Sequence, residues 1–183
     1  MGNTTGFIVK QTPIPGLLEI DIPKIEDERG WFQEKFQQEK LVAAGFPKDF
    51  KPVQQNISFN KEAGVLRGIH AEPWDKYVTV ISGKVFAFYV DLRKENFGGK
   101  YAVVIDHAKA VFVPRGVANS FQTLESGSYY SYLVNDHWKP DGIYKSVNVS
   151  DPSLGVTWPI PLEQSIVSEK DRKSPLLQEM EPF

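Results

Sequence analysis

The sequence predicts an all-β protein, an antiparallel sandwich or barrel of the jelly-roll kind. Three observations carry this. Short runs rich in Val, Ile, Phe and Tyr recur between residues 53 and 134, Gly, Pro, Asn, Asp and Ser punctuate them, and helical periodicity is scarce. Closing many short antiparallel strands into a jelly roll is the common way to remove exposed sheet edges.

In chain order, the one helix candidate is Gln37 to Ala44, ended by Gly45 and Pro47, with Gln38, Glu39 and Lys40 facing water. The strand runs are Val53–Phe59, Val65–His70, Tyr77–Ile81, Val85–Leu92, Tyr101–Ile105, Ala110–Val113, Ser120–Leu124 and Tyr129–Val134. Ser82-Gly83 signals a hairpin turn, and Glu125-Ser126-Gly127-Ser128 signals another. The Pro-rich end, residues 152–183, reads as an irregular arm wrapped on the barrel. No repeat, low-complexity tract or linker divides the 183 residues, so a single domain, 1–183, is expected.

Composition narrows the function classes. Hydrophobic residues make up 41% and charged residues 24%, as in ordinary globular proteins. A net charge of -2 gives no basic field for nucleic acid, so local arginines and lysines must meet any anion. Without cysteine there is neither a disulfide nor a thiolate metal site. No apolar stretch reaches the roughly 18 residues of a membrane span, and Met1 to Thr5 lacks a signal peptide's regions. The expectation is a soluble cytoplasmic protein with no nucleic-acid or membrane partner. Twelve Phe, 7 Tyr and 4 Trp are more than a core this size requires. Most read as inward strand residues and cross-strand pairs, while a few at a barrel mouth would stack a sugar or nucleobase; composition does not separate the two.

The chemistry gathers in Gly64 to Tyr77, where Arg67, His70, Asp75 and Lys76 follow a strand-like run. A histidine and a lysine beside an arginine suit proton transfer with an anion clamp. Only His70, His107 and His137 are present, too few for a histidine-built metal centre. His107 follows Asp106 in a turn and reads as a solvated surface histidine. His137, between Asp136 and Trp138, fits a pocket rim or a plain turn equally well. His70 alone among the strands is compatible with a satisfied core histidine. Its neighbours Arg67, Glu72, Asp75 and Lys76 favour a polar cleft, because unpaired buried charge is expensive.

Seven segments then occur in one order: Asp27-Glu28-Arg29-Gly30-Trp31-Phe32-Gln33-Glu34, Gln54-Gln55-Asn56-Ile57-Ser58, Gly64-Val65-Leu66-Arg67-Gly68-Ile69-His70, Val90-Asp91-Leu92-Arg93, Val113-Pro114-Arg115-Gly116-Val117-Ala118, Asp151 to Pro159, and Ser168-Glu169-Lys170-Asp171. Together, from about Thr12 to Pro175, they closely resemble the dTDP-4-dehydrorhamnose 3,5-epimerases of the cupin superfamily. The resemblance implies a cupin-type jelly roll that epimerises dTDP-4-dehydro-6-deoxy-D-glucose at C3 and C5 in the dTDP-L-rhamnose pathway, with neither metal nor cofactor. A base, an acid on the opposite face and positive charge near the C4 oxygen are what enolate chemistry needs.

Residue by residue, the resemblance puts His70 on the base, Asp171 on the carboxylate that orients it, Lys76 on the lysine that stabilises the enolate, and Tyr132 on the acid. Tyr132 is also open to being a cross-strand aromatic, and Tyr129 or Tyr130 to being confused with it; strand alternation puts Tyr130 and Tyr132 on one face and Tyr129 opposite. The loop holding Pro73 and Trp74 decides whether the Lys76 ammonium arrives. Arg29, Glu34 and Arg67 resemble nucleotide-sugar contacts, Arg67 preferred for pyrophosphate through its planar fork. Gln55 and Asn56 fit hydrogen bonding to diphosphate or base. Phe32 either stacks on thymine or is a buried core residue. Asn119 and His137 complete the candidate substrate contacts. In relatives the first β-structure reaches the neighbouring subunit's site, which implies a homodimer.

The chain departs from the commoner family pattern at two places. Ala71-Glu72-Pro73-Trp74-Asp75-Lys76 follows His70 where many relatives have an aromatic residue and glutamine, and Asn119 stands where many have histidine. A subset of the epimerases shares both features, and asparagine is a poor metal ligand. The alternatives left open are an epimerase of C5 or C3 alone, a nonenzymatic sugar-nucleotide-binding cupin, and, less well matched, a 3,4-ketoisomerase or a metal-dependent oxygenase.

Overall fold

The computed structural model describes residues 6–183 and consists of two facing antiparallel sheets with covering segments on both outer faces. The strands are β1 (Ile8–Gln11), β2 (Leu18–Asp21), β3 (Ile25–Asp27), β4 (Gly30–Phe32), β5 (Gln54–Asn60), β6 (Val65–Ala71), β7 (Lys76–Ser82), β8 (Val85–Asp91), β9 (Lys100–Ile105), β10 (Lys109–Val113), β11 (Val117–Thr123), β12 (Ser128–Val134), β13 (Lys145–Ser146) and β14 (Ile166–Val167). The first sheet runs β1-β2-β10-β7-β12-β5, the second β13-β6-β11-β8-β9, with β14 parallel to β6. This is the expected cupin-type β-sandwich.

The eight expected strand runs correspond to β5 through β12. Between the sheets lies a buried layer that includes Ile14, Leu17, Val78, Val80, Tyr89, Val111, Phe121 and Tyr130. The expected short helix is α1 (Gln38–Ala43); the Gln37 side chain accepts from Lys40 N–H at its start and Gly45 follows in the left-handed region at φ 100°. Its Leu41 joins Phe46, Phe50, Tyr77 and Phe112 in a buried cluster over one part of the first sheet's outer face. Phe46 and Phe50 meet Phe112 edge-on at 5.0 and 5.4 Å.

The C-terminal arm and the segment just before it cover the second sheet, packing Val147, Val149, Leu154, Trp158 and Leu177 on Leu66, Phe88 and Val90. It is less irregular than expected, since it holds β14 and a second helix, α2 (Glu169–Arg172). A two-residue strand and a four-residue helix are too short for periodicity to register. Strands β1 to β4 were likewise missing from the expected runs: β1 exposes Ile8, β3 and β4 are exposed throughout, and β2 alternates buried Leu18 and Ile20 with Glu19 and Asp21 over only four residues. The hairpin of β3 and β4 is tethered by Lys35, whose ammonium donates to the His107 carbonyl. His107 is not freely solvated as expected, because Trp31 stacks on it at 5.3 Å. Among the described residues no helix is long and apolar enough to cross a membrane.

Candidate active site

At one end of the sandwich the two sheets open into a cleft of about 560 Å³, lined among others by Arg67, His70, Glu72, Lys76, Asn119, Tyr132 and Asp171. A second cavity of about 530 Å³ adjoins it, sharing His70, Glu72, Tyr132 and Lys170 and adding Asn56, Trp74, Trp138 and Tyr144.

Alternation along the strands sets which side chains enter. On the second sheet, β6 turns Arg67 and His70 to the cleft, and Gly68 between them makes the bend possible. Gly68 has φ 128°, and a Cβ there would lie 2.4 Å from that of Ser120. His70 Nε2 lies 2.6 Å from Asp171 Oδ1. Asp171 is brought there by β14, which pairs Ile166 with Val65 and Val167 with Leu66, and by α2, whose first turn Ser168 caps by accepting from Asp171 N–H at 3.1 Å. Burial pushes the Asp171 carboxyl up, but the His70 hydrogen bond and charge, the Ser168 hydroxyl and the Gly68 amide outweigh it and hold the group below the ordinary range.

The first sheet supplies the facing wall. Lys76 starts β7 and is buried; its ammonium pairs with the Glu72 carboxylate and donates to Asn119 Oδ1. Asn119 is the direct partner of His70 across β11 and β6, so this amide links the lysine wall to the histidine wall. On β12, Tyr132 lines the cleft with its ring centroid 5.7 Å from Lys76 Nζ, while Tyr129 is exposed on the other face. Tyr130 shares the face of Tyr132 but is buried and stacked on Phe121 at 3.9 Å. Burial first, and then the Glu72 charge, push the Tyr132 hydroxyl upward, with Arg67 opposing.

Of the residues singled out from sequence, His70, Asp171, Lys76, Tyr132, Arg67, Asn56 and Asn119 come together around these two cavities. The loop through Pro73 and Trp74 does deliver Lys76. Gln55 points away: it alternates with Asn56 and donates to Ser131 Oγ at 3.2 Å. Arg29, Phe32 and Glu34 sit in or just after the β3–β4 hairpin, outside the linings of these two cavities. Arg29 pairs with Asp27, Glu34 pairs with Lys40, and Phe32, 62% exposed, is not the buried core residue that sequence left open. His137 is exposed and lines neither cavity, whereas its neighbour Trp138 does. Asp75, grouped with the cleft by sequence, turns to Arg115 and Asn135 instead. Sequence treated Glu72 only as a flanking charge and missed Lys170; four-residue spacing to Lys76 was the available signal for the first.

Fold and site together define a cupin-type β-sandwich with an acid–base cleft between its sheets. The chain belongs to the dTDP-4-dehydrorhamnose 3,5-epimerase family, whose sequence model matches residues 11–179. A Streptococcus pyogenes serotype M6 protein described as an RmlC homolog is 53% identical over 177 residues, 93% of this chain and 89% of its own. Among solved structures, RmlC of Streptococcus suis in complex with dTDP-D-xylose superposes with a TM-score of 0.91 at 48% identity, covering 98% of this chain and 95% of that one. The Legionella pneumophila RmlC structure with dTDP-4-keto-L-rhamnose superposes with a TM-score of 0.85 at 31% identity, covering 96% and 95%.

Proposed function

We propose that this chain is a dTDP-4-dehydrorhamnose 3,5-epimerase, converting dTDP-4-dehydro-6-deoxy-D-glucose to dTDP-4-dehydro-L-rhamnose. The carrying observation is the opposition of the His70–Asp171 pair on one wall to Tyr132 and Lys76 on the other. With His70 Nε2–H donated to Asp171, Nδ1 keeps the lone pair that takes the proton beside the C4 ketone. The C–H electrons move onto the C4 oxygen as an enolate, to which the Lys76 ammonium donates a hydrogen bond. Tyr132 returns a proton to carbon from the opposite face, leaving imidazolium and phenolate that solvent resets. The second carbon repeats the cycle.

Arg67 and Lys170 flank the cleft as cations for the diphosphate, and Asn56 supplies an amide in the adjoining cavity. Among the described residues no three His, Asp or Glu groups converge as metal ligands, and the one cleft histidine is committed to Asp171. We therefore read the enolate as stabilised by Lys76.

We further propose a single domain, residues 1–183, that acts as a homodimer in the cytoplasm. The aromatic cluster leaves part of the first sheet's outer face bare: Ile57 (60% exposed), Phe59 (53% exposed), Tyr129 and Ile81 form an apolar surface beside the edge strand β5. The β3–β4 hairpin carries exposed Ile25, Trp31 and Phe32 as well. A second copy on these surfaces gives Arg29, Phe32 and Glu34 a cleft to enter, the role that they lack in their own chain.

The test is proton NMR of dTDP-4-dehydro-6-deoxy-D-glucose with the protein in deuterium oxide and EDTA. Deuterium at both C3 and C5 with the rhamno product is the expected result. Label at one carbon makes it a single-site epimerase, and none makes it a binding cupin or an enzyme of another nucleotide sugar.

A further inference from the structure

Glu72 has no part in the reaction just described, yet it occupies the middle of the cleft. It follows His70 by two residues, lines both cavities, and is the one carboxylate paired with the Lys76 ammonium among the described residues. Its side chain is 17% exposed and that of Lys76 5%, so the pair is largely out of water. An ammonium so placed is tolerable only with a counter-charge. Asn119 Oδ1 accepts a hydrogen bond from the same ammonium and holds it from the other sheet. An ion pair and a hydrogen bond from separate elements therefore fix where the lysine points.

The same carboxylate faces Tyr132. The other charged or titratable groups lining the two cavities with that phenol are Arg67 and His70 on β6, Lys76 on β7, Tyr130 on β12, Tyr144 and Lys145 at β13, and Lys170 and Asp171 on α2. Glu72 and Asp171 are the only anions in that set.

We propose that Glu72 is a positioning residue of the cleft: with Asn119 it holds the Lys76 ammonium where the substrate oxygen arrives, and its carboxylate balances that ammonium beside Tyr132. The proposal rests on the epimerase reading, and its logic is one of charge. A cation unbalanced beside the phenol favours phenolate and so lowers the pH at which the phenol ionises. Glu72 cancels the lysine as seen from Tyr132 while leaving the ammonium protonated, one N–H engaged by Asn119 and another available to the C4 oxygen. One carboxylate thus serves both ends of the proton transfer without touching the sugar carbon.

Glu72→Gln keeps the shape and removes the charge. Tyr132 is followed by NMR of tyrosine labelled at the Cζ carbon, its signal identified by its loss in Tyr132→Phe. In Glu72→Gln the phenol should ionise at lower pH than in the unsubstituted protein. The turnover number for deuterium exchange at C3 and C5 should fall on the order of 100-fold through lost alignment, with KM within about twofold because the diphosphate contacts are untouched. Glu72→Asp, which keeps the charge at shorter reach, should leave the tyrosine titration in place and lose part of the turnover; it also serves if the glutamine variant folds poorly. An unmoved titration together with normal turnover in Glu72→Gln overturns the proposal, as does a loss expressed in KM alone. If the unsubstituted protein exchanges no deuterium while the Tyr132 titration still moves, the epimerase reading fails and the charge pairing stands.

Discussion

His70 Nε2 meets Asp171 Oδ1 at 2.6 Å although 101 residues separate them in sequence. The contact depends on a short chain of local events. β14 pairs in parallel with the start of β6, the chain turns at Ser168, and the Ser168-capped first turn of α2 directs Asp171 at the ring. A carboxylate in this place holds the imidazole in one tautomer and stabilises it once protonated.

Removing either member should therefore stop proton abstraction and spare binding. His70→Ala should abolish deuterium exchange at both C3 and C5, and Asp171→Asn should lower it by roughly 100- to 10,000-fold. Nucleotide affinity, measured by calorimetry with dTDP, should change little in both, since Arg67 and Lys170 remain. Near-normal exchange in His70→Ala takes the histidine out of the mechanism.

Tyr132→Phe separates abstraction from reprotonation. The base and the lysine are intact in this variant, so exchange should persist while net inversion to the rhamno product drops by about two orders of magnitude or more. The check is to follow label and product in the same NMR sample. Unaffected inversion would require another acid, and Tyr130, which lines the same cleft although it is stacked on Phe121, is the first to remove by Tyr130→Phe.

Strand content was legible in the sequence because β5 to β12 are punctuated runs, and several candidate site residues sit on them, Arg67 and His70 on β6, Lys76 on β7, Asn119 on β11 and Tyr132 on β12, while Asp171 lies outside them on α2. The exceptions have physical causes. Gln55 was grouped with Asn56 by adjacency, yet adjacent strand residues face opposite ways, and only Asn56 lines the cavity. Asp75 sits beside Lys76 in sequence, but its carboxylate is held by Arg115 from the turn after β10 and by Asn135 from the end of β12. That clamp fixes the loop which delivers the lysine. Trp31 and Phe32 are apolar and exposed, a combination no inward–outward pattern reveals in a single chain.

The bare apolar face gives a prediction about assembly. Phe59→Lys places a charge opposite Tyr129, whose ring packs on Phe59 at 4.9 Å on the exposed side of β5 and β12. The substitution should shift the protein from dimer to monomer in light scattering while leaving the circular dichroism spectrum unchanged. On the proposed dimer, exchange should fall with it, because each cleft would then lack the partner's hairpin. A fully active monomer would remove the hairpin residues from the site.

Asp91 tests the acid limb of stability away from the cleft. It is fully buried, and its carboxylate accepts from Arg93 N–H and Nε at 3.0 and 2.8 Å and from Asn96 Nδ2 at 3.0 Å. Burial pushes this carboxyl up, but the Arg93 hydrogen bonds, the Asn96 amide and the Arg93 charge outweigh it and leave the group below the ordinary range. A carboxylate depressed in the folded state contributes stability that is complete above the unfolded value of about 3.9 and is lost as pH falls through the lower folded value. Asp91→Asn should thus cost about 1–3 kcal/mol at neutral pH and progressively less below pH 4, where the parent protein's advantage is titrated away. Urea denaturation at pH 7 and pH 3 measures the difference. A cost that is the same at both pH values would mean that the hydrogen-bond geometry of Asp91, and not its charge, holds the turn after β8.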